Sequence, residues 1–516
     1  MRYLIFLLWL NAVPLAAAPR AALRLPSGLI IGSIKIETHN VFETELPSEN
    51  KLLYRAANRV HFQTHDAVIM RELLFAVGDR YDADLVAETE RNLRALNFIR
   101  RAEAEATVNS GGTVDIIVRT YDSWTLEIVA GYKRAGGSTS VKGGLAESNI
   151  MGRGKAGSVV YGSEWGADSM SFGYKDPQLW NFKRFQYSMA ARTTPGSQNF
   201  SLALNRPFYA SIAPSAVGGN ISYDTSSAGG VSRRGVTGGV NYGVALKPSK
   251  ELTRRVKFGL VAQRADSTGP ESNKERSVGV QLGADWEKLD FLTARRIRTF
   301  THDEEYNLGL GVFPSVVWSP AFRALGITRS QIKPGIEVRK NFTWANQLLL
   351  LKSGYSSLYA GGGNSNLLAS VDAVYFLRGI RFQTLAFHAG LDLGWHLNTG
   401  TQLVLGELNG LRGYGLSRFT GNRRFLFNIE DRVYIWDDLL RLMDIGMVFF
   451  YDSGYVWPES SPIRLADLKN SVGMGLRLAP SRSSNNSPVR IDMAYALSGN
   501  QGYSRWSLSI LGGQAF

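Results

Sequence analysis

From Ser123 to Phe516 apolar and polar residues alternate with a period of two, the spacing of a strand with one apolar and one polar face. Trp124, Leu126, Ile128, Ala130 and Tyr132 share one face of the first such segment, with Thr125, Glu127 and Gly131 opposite. Between Met443 and Trp457 the odd positions are mostly apolar, with aromatics towards one end, and the even ones include Asp444, Gly446, Asp452 and Gly454. Phe425, Phe427, Ile429, Val433 and Ile435 oppose Arg424, Asn428, Glu430 and Arg432 in the same way. So do Val489, Ile491, Met493, Tyr495 and Leu497 against Arg490, Asp492 and Ala494.

Residues 29–120 follow a different pattern. Leu29 to Ile36 reads as a strand, and Asp66 to Phe75 as a helix capped by Asp66, with Gly78 as its stop. A second helix begins near Asp82 or Asp84 and places Leu85, Thr89, Leu93 and Leu96 on one face. Two strands follow, joined by the turn Asn109-Ser-Gly-Gly112. The predicted order is strand, helix, helix, strand, strand.

An apolar face ended by aromatics, backed by a charged face, is the pattern of a membrane barrel rather than of a soluble sandwich. Strands of about 9 to 11 residues allow roughly 16 to 20 of them in residues 123–516. The alternating segments number nearer the upper figure. The expectation is 16 strands, with some segments before Pro334 set aside as loop hairpins.

Residues 1–18 support export. Arg2 precedes an apolar run from Leu4 to Leu15, and Ala16, Ala17 and Ala18 are the small residues a signal peptidase reads. The run is shorter than the roughly 20 residues of a spanning helix and contains Asn11 and Pro14. Pro19 disfavours a cut directly after Ala18. The expected organisation is a signal peptide at 1–18, a linker at 19–28, an α/β domain at 29–122 and a barrel at 123–516.

Composition narrows the chemistry. The chain has 516 residues and 44% hydrophobic content, which excludes a disordered protein, and the absence of Cys excludes disulfides and thiolate metal sites. Its net charge of +14 would suit nucleic acid. On an exported barrel, however, Lys and Arg meet lipopolysaccharide phosphates and anionic lipid headgroups, and the compartment excludes nucleic acid. No hydrolase, phosphate-loop or zinc-protease signature is present, so neither an enzyme nor a cofactor is expected. His61 and His65, with Asp66 beside them, have the spacing of a metal pair but read more simply as polar residues leading into a helix. His388, Asp392 and His396 share a strand face at i, i+4 spacings of about 13 Å, too far apart for one metal.

Four motifs occur together. Leu411-Arg412-Gly413-Tyr414 lies in a Gly-rich loop between alternating strands, and Phe450-Tyr-Asp452-Ser-Gly454 lies on the second strand after it. Glu147-Ser-Asn149-Ile-Met-Gly152-Arg153-Gly154 and the Asp176-Pro177 turn stand near the start of the barrel. With these motifs the chain resembles the BamA/TamA-type outer-membrane assembly and translocation superfamily, although Leu411 stands where Val or Ile is usual. Strand parity places Glu430 and Asp452 on the inward face, within reach of Arg412, whose guanidinium can clamp two carboxylates.

The resemblance implies a lumenal clamp of Arg412, Gly413, Tyr414, Glu430, Asp452 and Gly454, and a POTRA-like periplasmic domain at 29–122. It also implies an outer-membrane location and unfolded client proteins as partners. Clients would enter at a seam between the first and last strands, involving Ile128, Ala130, Trp506, Leu508, Ile510 and Phe516. The leading expectation is an insertase. Secretion of one dedicated substrate and a passive porin are the alternatives.

Overall fold

The computed structural model describes residues 28–516 apart from 136–137, 165–166, 181, 183, 229–230, 270–272, 399–400, 416, 484–487 and 500–503. The expected signal peptide and all but the last residue of the linker lie outside the described residues.

The N-terminal unit runs β1 (Ile31–His39), α1 (Leu52–Val60), α2 (Asp66–Met70), α3 (Ala83–Arg94), β2 (Ile99–Val108) and β3 (Val114–Asp122). Its sheet has the order β1-β3-β2, with β1 parallel and β2 antiparallel to the central β3. Ile31, Ile69, Leu93, Ile116 and Val118 form the core beneath it. Asp82 starts α3 by accepting the N–H groups of Asp84 and Leu85. The unit is a small three-stranded sheet and not a clear POTRA domain, which corrects the expectation above. One difference is α1, which fills a stretch expected to be connection. It has no side-chain cap and buries only Tyr54, so it lacks the usual signals of a core helix.

The rest of the chain forms a closed antiparallel barrel of 20 strands, from Leu126–Ala135 to Trp506–Gly512, and not one of 16. The segments before Pro334 that were set aside as hairpins belong to the wall. Ser215–Ala228, Val231–Ala245, Leu252–Thr268 and Asn273–Lys288 are consecutive wall strands of 14 to 17 residues. Such lengths exceed what a bilayer needs, so a strand and its neighbour can continue beyond it. Before Pro334, among the described residues, the short strand pair Phe291–Ala294 and Glu304–Asn307 leaves the wall as a hairpin of its own.

The N-terminal unit is docked across one mouth of the barrel and touches most of the turns there. His65 N–H donates to the Gly152 carbonyl at 3.0 Å, and Asn149 reaches the Thr64 hydroxyl at 2.9 Å. Asn92 reaches the Tyr209 carbonyl, Arg94 pairs with Glu305 at 2.7 Å, and Arg482 pairs with Glu49 at 2.9 Å. Arg184 pairs with Glu72, and Lys250 with Asp82.

Candidate functional site in the barrel lumen

The loop from 396 to 422 folds inward. Leu403–Leu405 pairs with Phe419–Gly421, and the chain between them turns back through Gly410 (φ +100°) and Gly413 (φ +87°), a backbone region that favours glycine. At Gly413 there is also little room, since a Cβ would lie 3.2 Å from the Ala496 nitrogen. Leu411 and Tyr414 bury against Leu405, Leu426, Val456 and Ala496. The Tyr414 hydroxyl donates to the Asn470 carbonyl at 2.9 Å, fastening the loop to the wall.

These contacts carry Arg412 into the lumen. Its Nε and Nη2 donate to Asp452 Oδ2 and Oδ1 at 2.8 and 2.7 Å, and its Nη1 donates to Glu430 Oε1 at 2.8 Å. Its own backbone N–H also reaches Asp452. The guanidinium lies 3.5 Å from the centroid of the Phe450 ring. Arg412, Glu430 and Asp452 are all fully buried. A planar fork with two carboxylates and an aromatic floor is a geometry that Lys could not reproduce. Gly413 N–H donates to Glu407, which also accepts from Ser507 on the last strand. At Gly454 a side chain would meet the Phe425 carbonyl at 2.8 Å and Leu405 at 2.9 Å.

Further residues of the polar strand face complete this network, although alternation alone does not connect them to the clamp. Asn428 Nδ2 bridges the Gly410 carbonyl and Asp452 Oδ1, both at 2.7 Å. Arg477 donates to Asp492 at 2.5 Å, and Asp492 lies 3.6 Å from Arg412. Arg432 has the widest reach. It donates to Glu430 at 2.9 Å, to the Ile297 carbonyl at 2.5 Å and to the Phe516 carbonyl at 3.2 Å. Ile297 lies in the link between Phe291–Ala294 and Glu304–Asn307, so this hairpin sits inside the lumen. One guanidinium therefore connects the clamp, the hairpin and the C-terminal tail. Strand parity gives the inward face of Arg432, but alternation holds no signal for its two distant carbonyl partners.

Among the described residues the seam is the shortest stretch of pairing in the wall. Among these residues the last strand meets the first through Leu508–Arg134, Ser509–Lys133 and Ile510–Tyr132. By contrast, Leu252–Thr268 and Asn273–Lys288 pair continuously along nearly their full lengths. Leu508 and Ile510 thus lie at the seam, whereas Ile128 and Ala130 sit on the first strand beyond the paired stretch, and Trp506 precedes it on the last. Gly513, at φ +86°, ends the last strand and turns the tail inward. There Gln514 accepts from Arg477, and Phe516 stacks on His388 with centroids 5.3 Å apart.

No family model matches the chain, and no curated protein does. Among solved structures, it is similar to BamA from Haemophilus ducreyi lacking POTRA domains 1–3, at 13% identity, with 94% of this chain and 85% of that one covered and a TM-score of 0.41. It is similar to CdiB from Acinetobacter baumannii at 12% identity, covering 94% and 74%, with a TM-score of 0.47. CdiB from Escherichia coli matches at 10% identity, covering 97% and 94%, with a TM-score of 0.39.

The histidines take separate positions. His388 bonds Asp372 and Asn428, Asp392 bonds Arg424, and His396 lies just past its strand with its N–H on Glu459. His61 Nδ1 meets Asn40, whereas His65 Nε2 meets the Met151 carbonyl. His61 is also 4.0 Å from Asp122, at the joint between the N-terminal unit and the barrel. Burial pushes the Asp122 carboxyl up to about 7, against the Thr64 N–H that favours its charge, and burial holds His61 below its ordinary value. Burial therefore favours the uncharged form on both sides of the contact.

Proposed function

We propose that this chain is an outer-membrane barrel that inserts client β-strands through its seam. The observation that carries this reading is the three-pair junction between the first and last strands. Beyond it, Ile128 to Gly131 on the first strand pair with no last-strand residue among the described residues, which leaves that edge open to an incoming strand by edge addition. Continuing the observed register would set residues 511–516 opposite 131–126, but the tail turns into the lumen instead. A client strand could occupy the place the tail leaves. The edge strands β1 and β2 of the N-terminal unit, which faces the periplasm in this reading, offer a first docking edge. The outward wall meets lipid and lipopolysaccharide.

A second reading, export of one dedicated substrate through the lumen, is favoured by the hairpin at 291–307, which a passing chain could displace. A passive pore has no use for a lumen occupied by the loop, hairpin and tail. Reconstitution in liposomes separates the three readings. Catalysed insertion of an unrelated barrel supports the proposal, export of one substrate alone supports the second reading, and ion conductance alone overturns both.

A further inference from the structure

Helix α1 turns its apolar face outward. Leu52 is 77% exposed, Leu53 61% and Val60 69%, and Phe62 just beyond the helix is 62% exposed. Leu52, Leu53, Ala56 and Val60 fall within an arc of about 100° at helical spacing. Lys51, Arg55 and Arg59 are exposed beside that arc. The opposite side fixes the helix in place. Tyr54 stacks on Phe42 at 4.6 Å and donates to the Leu440 carbonyl at 2.5 Å, while Asn58 exchanges hydrogen bonds with the Phe42 backbone. The apolar face is therefore held away from the core.

Its surroundings indicate what covers it. Leu440 lies in the turn after the strand Arg423–Leu439, and Trp436, Leu439 and Leu440 are themselves exposed there. These residues end the outward apolar band of the wall at the mouth where the N-terminal unit docks. Trp124, which leads into the first barrel strand, packs against the same cluster. Tyr54 thus places α1 beside the turn where the exposed apolar band of the wall ends, with its own apolar face left uncovered and flanked by three cations.

We propose that α1 is an interfacial anchor, seated in the leaflet on the side of the N-terminal unit. The face of Leu52, Leu53, Val60 and Phe62 lies among acyl chains, and Lys51, Arg55 and Arg59 lie on anionic phospholipid headgroups. The anchor holds the N-terminal unit against the membrane next to the seam. This rests on the reading that the barrel spans a bilayer, so the test includes a marker for that alone.

The chain has no Cys, so single labels are unambiguous. An environment-sensitive fluorophore is attached to Leu53→Cys in the full chain, and in a separate protein to Phe449→Cys on the outward wall. Both proteins are placed in vesicles of phosphatidylethanolamine and phosphatidylglycerol containing nitroxide-labelled lipid. The anchor gives quenching of about twofold or more at position 53. Combining Lys51→Glu, Arg55→Glu and Arg59→Glu removes most of that quenching and leaves position 449 quenched. An unquenched, aqueous label at 53 beside a quenched label at 449 overturns the anchor. So does a label at 53 shielded by a second copy, seen as energy transfer between differently labelled chains. Undiminished quenching in the triple variant overturns the headgroup contact. No quenching at 449 overturns the barrel reading and the anchor with it.

Discussion

At the scale of single residues, the lumen depends on Arg412. Its three short bonds to Asp452 and Glu430 satisfy carboxylates that are out of water. Arg412→Ala leaves those charges uncompensated and is expected to cost about 3 to 5 kcal/mol, less where water enters. The barrel should lose its folded gel mobility at a lower temperature, and the loop around 411–418 should become protease-sensitive. Arg412→Lys should not restore either property, because one ammonium cannot serve both carboxylates in the same plane. Gly413→Ala should cost about 1 to 2 kcal/mol through its positive φ alone, and the nearby Ala496 backbone adds to it. Denaturation midpoints of the two variants would show whether the loop is fastened at both points.

At the scale of elements, the joint between the N-terminal unit and the barrel should respond to pH. The raised Asp122 contributes stability that is fully present below its ordinary value near 4 and is lost as pH rises through about 7. The span is on the order of 4 kcal/mol. His61, held low, contributes stability that is present above about 6.5 and is lost as pH falls through its lowered value. The two slopes oppose each other only between the lowered His61 value and about 6.5, so the net stability of the joint falls from the acid side towards pH 7. Limited proteolysis across 122–125 should therefore be slower near pH 5 than near pH 8, and Asp122→Asn should remove the loss on the alkaline side. An unchanged profile in that variant would show that Asp122 does not govern the joint.

Sequence and structure also part at this scale, for identifiable reasons. Alternation exposed the wall strands and the inward faces of Glu430 and Asp452, because a period of two is fixed by the strand itself. It could not separate wall strands from hairpins, since Phe291–Ala294 and Glu304–Asn307 alternate no differently from their neighbours. Helix α1 is weakly signalled because it is only nine residues long and its start has no capping side chain. The short seam and the inward tail depend on register and on the positive φ of Gly513, which no local pattern carries.

At the scale of the whole molecule, Arg432 links the clamp, the lumenal hairpin and the tail of the seam strand. Arg432→Ala should release hairpin and tail together and raise conductance in planar bilayers. Unaltered conductance would show that the hairpin is held by its other contacts. The central claim, that client strands enter where first and last strands meet, is tested most directly by locking that junction. Tyr132 and Ile510 are directly paired across it, close enough for a disulfide, and the chain has no Cys to compete. Oxidised Tyr132→Cys/Ile510→Cys protein should lose client insertion in liposomes and regain it with reductant. A fully oxidised barrel that still inserts clients at the reduced rate would contradict the account.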